Sequence, residues 1–93
     1  MDGQDQRDHL EASAVTFRYG VRTWRDPQSI ARVAGVFAQR SLIPSLFDCV
    51  DEADQLLIRV EAQLTSEAVA ELIRRKLEAL VIVDQPISFE RKD

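Results

Sequence analysis

The run Gln55-Leu56-Leu57-Ile58-Arg59-Val60-Glu61-Ala62-Gln63-Leu64-Thr65-Ser66-Glu67 changes its period halfway along. Leu56, Ile58, Val60, Ala62 and Leu64 alternate with Gln55, Leu57, Arg59, Glu61 and Gln63, the period of a strand with one buried face. Thr65-Ser66-Glu67 then supplies cap candidates and a first-turn acid. Val69, Leu72, Ile73, Leu77 and Leu80 continue at helical spacing. A strand therefore feeds an amphipathic helix.

Upstream, Asp51-Glu52-Ala53-Asp54 reads as a charged turn that hairpins this strand to another at about 45–50. Before that, Leu42-Ile43-Pro44 stops a helix, because a residue preceding proline is pushed toward extended geometry. That helix begins at Asp26-Pro27, a capping side chain followed by a proline suited to the first helical position. Ile30, Val33, Ala34 and Phe37 form its apolar stripe, which runs to about Arg40. A first strand at about 14–24 alternates Val15, Phe17, Tyr19, Val21 and Thr23 with Thr16, Arg18, Gly20, Arg22 and Trp24. Downstream, Leu80-Val81-Ile82-Val83 through Ser88 reads as a fourth strand.

The resulting order, β-α-β-β-α-β, predicts a ferredoxin-like α+β domain with a four-stranded antiparallel sheet and both helices on one face. Each helix has a single apolar stripe, so the other sheet face is left to solvent or a partner. Ninety-three residues suffice for one such domain and one core. Its expected extent is 14–89, between a disordered polar tail at 1–13 and a frayed C-terminus at 90–93.

Charge narrows the function classes. The tail holds Asp2, Asp5, Asp8 and Glu11 against Arg7, so most of the net charge of −4 lies there and the body is nearly neutral. A phosphate-binding surface needs a basic excess, and RNA recognition needs stacking aromatics on the central strands; this sequence offers neither, so no nucleic-acid partner is expected. No apolar run is long enough to span a membrane, and the N-terminus lacks a signal peptide's pattern, which gives a cytoplasmic expectation without membrane attachment. Cys49, the single cysteine, can form neither an intramolecular disulfide nor a cysteine-rich zinc site, and its strand position suggests core packing. His9 has no ligand partner at useful spacing, and Arg74-Arg75-Lys76 reads as a solvated helix face. Gly35 within the first helix points to close packing against the sheet or a second subunit. No nucleophile–base set, catalytic carboxylate pair or phosphate-binding glycine loop can be assembled, so no enzyme, metal or cofactor is expected.

Asp26-Pro27-Gln28-Ser29-Ile30-Ala31-Arg32-Val33-Ala34-Gly35-Val36-Phe37-Ala38-Gln39-Arg40, with extended Ile43-Pro44-Ser45-Leu46 after it, resembles the signature of ACT domains. It is similar in particular to the acetolactate synthase regulatory (small) subunits, where Arg-Val-x-Gly-x-Phe-x-Gln-Arg occupies this helix. The resemblance implies a non-catalytic regulatory module of amino-acid metabolism, a homodimer, an association with a biosynthetic catalytic subunit and an amino-acid effector. It places the effector site around Trp24, Arg25, Asp26, Gln28, Ser29 and Ile43, where the N–H groups at the helix start could receive a carboxylate. Family members that bind an amino acid carry glycine at the position of Gln28, and the small subunits carry asparagine at that of Ile43. These departures imply weak or absent binding of free amino acids, with function carried by protein association. The alternatives are a free-standing amino-acid sensor and an acylphosphatase-like hydrolase, for which Arg25 is present but the glycine-rich loop is missing.

Overall fold

Alternating burial settles the two central strands. In the computed structural model, which describes residues 14–84 and 86–92, Val15–Trp24 forms β1 and Gln55–Leu64 forms β3, antiparallel from Val15 opposite Leu64 to Trp24 opposite Gln55. Phe17, Tyr19, Val21 and Thr23 of β1, with Leu56, Ile58, Val60, Ala62 and Leu64 of β3, are buried on one face. Helices α1 (Pro27–Ala38) and α2 (Glu67–Glu78) cover that face with Val33, Val36 and Phe37 from the first and Ala70, Ile73 and Leu77 from the second. The edges are β2 (Leu46–Asp51) beside β3 and β4 (Ser88–Lys92) beside β1, giving the all-antiparallel order β2-β3-β1-β4. This is the ferredoxin-like arrangement that the pattern predicts.

Local chemistry sets the helix limits. Asp26 caps α1 by accepting from the Gln28 N–H at 2.9 Å, with Pro27 at the first helical position; Ser66 caps α2 by accepting from Ala68 and Val69. At its C-terminus α1 stops at Ala38, two residues short of the expected Arg40. Ser41 adopts the left-handed conformation (φ 57°), and the Leu42 N–H donates to the Phe37 carbonyl at 3.0 Å while that of Ser41 donates to Ala38 at 2.9 Å. In the core, the Tyr19 ring meets Phe37 edge-on at 5.6 Å, and its phenol donates to the Ala70 carbonyl at 2.9 Å. Burial pushes the Tyr19 phenol well above its ordinary pKa.

The fourth strand lies later than expected. Leu80–Val83 leaves α2 through a turn, touches β1 by one bridge between Val83 and Thr23, and leaves Val81 exposed to solvent. Pro86 has no N–H to give a ladder, so regular pairing resumes only at Ser88. Glu90–Lys92, expected as a frayed end, are strand residues: Glu90 opposes Arg18 and Lys92 opposes Thr16. Ion pairs across the strands favour that register, so regular structure runs past the expected limit at 89. The tail 1–13, its His9, and Asp93 lie outside the described residues.

The uncovered face is paved with ion pairs. Arg18 reaches Glu61 at 3.0 Å and Glu90 at 2.9 Å, Lys92 reaches Glu61 at 3.2 Å, and Arg59 meets Asp48 through two bonds of 2.8 Å. Two further expectations are corrected. Cys49 is exposed, because β2 is an edge strand that the helices do not cover; slight desolvation by its neighbours, with the negative charges of Asp51 and Asp48, raises its thiol pKa. Gly35 is not pressed against the sheet, since a Cβ there would meet nothing within 4 Å.

Candidate functional site

At the end of the sheet where β1 stops and α1 starts, the chain turns through Trp24-Arg25-Asp26. The β2–β3 hairpin comes alongside, because Asp51 opposes Leu56 and Trp24 opposes Gln55 in the ladders. Between them lies a solvent-open groove of about 230 Å³ lined by Arg25, Asp26, Pro27, Ile30, Asp51 and Leu56. One wall is apolar (Pro27, Ile30, Leu56) and the other is ionic.

The ionic wall is already paired. Arg25 Nε donates to Asp51 Oδ1 at 2.9 Å and its Nη2 to Oδ2 at 2.7 Å, a bidentate contact between two half-exposed side chains. Asp51 Oδ1 also accepts the Ala53 N–H at 3.0 Å, in a turn where Ala53 has φ 77°. The Arg25 guanidinium and this backbone N–H together hold the Asp51 carboxyl at about 2, below the ordinary carboxylate range. A second clasp on the same hairpin joins Arg22 to Glu52 through bonds of 3.1 and 3.3 Å.

The other expected site residues divide. Trp24 is 55% exposed beside the loop, and Gln28 is exposed with its backbone N–H committed to Asp26. Ser29 is fully buried and donates its hydroxyl to the Trp24 carbonyl at 3.1 Å, while its N–H donates to the Asp26 carbonyl. The first N–H groups of α1 are thus already engaged by Asp26, where the sequence suggested free donors. Ile43, 91% exposed, precedes β2 at the opposite end of the sheet, separated from this groove by the length of β2, about 17 Å of extended chain. The fold brings Trp24, Arg25, Asp26, Gln28 and Ser29 together and leaves Ile43 apart within one chain. Asp51, Ile30 and Leu56 line the groove without having been singled out. The only sequence signal for Asp51 was its place at the head of a charged turn, which does not say which cation it meets.

Larger concavities lie elsewhere among the described residues. One, of about 400 Å³, lies at the far end between Arg40, Leu42, Gln63, Leu64, Thr65 and Val69; another, of about 450 Å³, lies on the open sheet face among Arg18, Leu46, Asp48, Arg59 and Glu61. No group of histidine, cysteine, aspartate and glutamate among the described residues could hold a metal ion. No helix among them is long and apolar enough to cross a membrane.

Topology and groove define the class as a ferredoxin-like domain whose polar site is an open cleft at a strand–helix junction. The family model for the ACT-like domain matches residues 10–90, and the chain belongs to that family of regulatory small-molecule-binding modules. No curated protein matches the sequence. Among solved structures, the ACT domain of the GTP pyrophosphokinase of Chlorobium tepidum superposes with a TM-score of 0.69 at 9% identity, over 86% of this chain and 88% of that one. A homoserine dehydrogenase from Thiobacillus denitrificans superposes with a TM-score of 0.66 at 20% identity over 88% of this chain. The chain spans 18% of that enzyme's length. At these identities the likenesses describe the fold.

Proposed function

We propose that this chain is a non-catalytic regulatory module of amino-acid metabolism that works by association, with a second copy of itself and with a biosynthetic catalytic subunit of the acetolactate synthase type. The observation that carries this reading is the contrast between a ligand groove whose charges are internally paired and an edge that is left open. Desolvating an amino acid's ammonium and carboxylate requires free partners, and Arg25, the Gln28 N–H and Ser29 are all engaged. Among the described residues the outer edge of β2, by contrast, pairs with no strand and exposes Leu46, Cys49 and Val50, with neither lysine nor proline within β2 to guard it. ACT domains commonly dimerise and work beside catalytic enzymes, and the likeness to a homoserine dehydrogenase agrees with that setting.

Light scattering at tens of micromolar should report at least a dimer of the 10.6 kDa chain; a monomer would remove self-association. Tagged protein recovered from its native cell should bring down a biosynthetic catalytic subunit and alter its activity. If no such enzyme is recovered and acetolactate synthase activity is unmoved, the regulatory-subunit reading fails.

The groove itself favours a second reading, a free-standing amino-acid sensor, because its apolar wall of Pro27, Ile30 and Leu56 suits a branched aliphatic side chain. Titration calorimetry with valine, leucine and isoleucine separates the two: a submillimolar dissociation constant supports the sensor.

A further inference from the structure

At the end of the sheet where β1 begins and β3 ends, the concavity of about 400 Å³ opens between the C-terminus of α1 and the start of α2. Leu42 and Val69, both half-buried against the core, and the buried Leu64 give it an apolar floor. Gln63 and Thr65 are exposed beside them, and Arg40 is the charged residue of the lining. Arg40 has no ion-pair partner among the described residues, whereas Arg18, Arg22, Arg25, Arg59 and Arg74 each hold a carboxylate. Glu67, the first residue of α2, is itself held by Arg91 at 2.9 Å. The groove therefore offers apolar surface and one uncompensated positive charge. We propose that it is a docking site for a leucine flanked by carboxylates, and that its occupant is this chain's own segment Asp8-His9-Leu10-Glu11.

Three observations name that occupant. The first is reach. The described chain starts at Ala14, and Val15 lies opposite Leu64 in the ladder, so β1 enters the sheet beside the groove. Leu10 stands five positions before Val15, a length that spans up to about 17 Å when extended, enough to fold back across the lining. The second is complementarity. Leu10 is the sole large apolar residue between Asp2 and Ser13, Asp8 and Glu11 flank it, and residues 1–13 carry four acids against one base. Seating Leu10 on Leu42, Leu64 and Val69 removes apolar surface from water while Arg40 takes a flanking carboxylate. The third is extent: the ACT-like family model starts at residue 10, so Leu10 falls within the span of the domain. The site lies at the opposite end of β1 from the groove at Arg25 and stands independently of any ligand there.

The test uses the full chain. In methyl-labelled protein, nuclear Overhauser contacts should join the Leu10 methyls to those of Leu42, Leu64 or Val69 within one molecule. A glutamate-specific protease reads the same contact, since docking shields the Glu11–Ala12 bond and cleavage follows the undocked population. Its initial rate, divided by that on a free peptide of residues 5–16 with the same sequence, should rise about ten-fold in Leu10→Ser and about three-fold in Arg40→Gln. Arg40→Gln leaves the cleaved sequence untouched, and Arg40 is exposed, so the fold survives the change. Normalised rates that agree in the wild type and both variants overturn the proposal, as does the absence of Leu10 contacts. A rise in one variant alone refutes the part given to the other residue. Contacts that form only between differently labelled copies overturn docking within the chain and assign the groove to the segment of a second copy. None of these readouts requires an effector or a partner enzyme, so the inference and the regulatory reading fail separately.

Discussion

Truncating Phe37 to alanine tests how α1 is seated. The side chain is 1% exposed, wedged between the helix and the sheet with Tyr19 edge-on against it. Removing the ring withdraws roughly 140 Å² of apolar surface from the core, which at about 25 cal/mol per Å² is about 3.5 kcal/mol. The cavity left behind raises that cost, while alanine's better helix propensity returns about 0.5 kcal/mol, leaving a net loss of roughly 3–4 kcal/mol. A domain of this size has about 5–10 kcal/mol in total, so Phe37→Ala should remain folded at low temperature but melt roughly 12–30 °C lower. Ile30→Ala provides the internal comparison: Ile30 is 37% exposed on the same helix, and its truncation should cost less than about half as much. Urea unfolding at constant m-value with thermal melts on both variants makes the measurement. Equal shifts for the two, or no shift for Phe37→Ala, would refute the placement of the helix face.

Ser41→Gly should stabilise the fold by about 0.5–1 kcal/mol, because Ser41 holds the left-handed position that closes α1 and glycine adopts it without a Cβ clash; a lower melting temperature would show that the seryl side chain matters there. Acid should weaken the domain in a defined direction. Asp48, Asp51, Glu61 and Glu71 all have pKa values depressed mainly by hydrogen bonds from arginines, so the stability they contribute is present above the ordinary carboxylate range and is lost as pH falls through their lowered values, down to about 2 for Asp51. Melting temperature recorded from pH 6 downward should fall progressively below about pH 5, and a flat profile to pH 2 would contradict those pairings.

Much of the architecture could be read from period alone. β1 and β3 each bury one alternating set, and those sets were visible because both strands are central and covered on one face only. The failures share a cause, namely that an edge position is not encoded in a strand's own composition. Leu80-Val81-Ile82-Val83 has a strand's composition but becomes a turn leaving α2, while the polar Ser88-Phe89-Glu90-Arg91-Lys92 pairs with β1 because charges across the ladder meet their opposites. The habits of cysteine as a residue type favour the core, and at Cys49 the uncovered edge overrides them. At the groove, Arg25 and Asp26 were legible from the cap that starts α1, whereas Asp51 reaches Arg25 only through the return of the hairpin, twenty-six positions later.

The pavement of charges on the uncovered face also fixes strand alignment. Apolar alternation repeats every two residues, so a slip of two would keep the buried face buried and go unnoticed by the core. In the observed ladders Arg18 lies opposite Glu61 and Glu90, and Asp48 opposite Arg59. Slipping by two in one direction sets Arg18 against Arg59, Asp48 against Glu61 and Arg18 against Lys92; slipping the other way leaves Arg18 facing Gln63 or Ser88, and Asp48 facing Leu57. Every such misalignment either opposes like charges or strips an ion pair bare, at all three strand junctions. A surface whose individual ion pairs add little to stability can thus act as a vernier, selecting one alignment among several that the hydrophobic interior would accept equally.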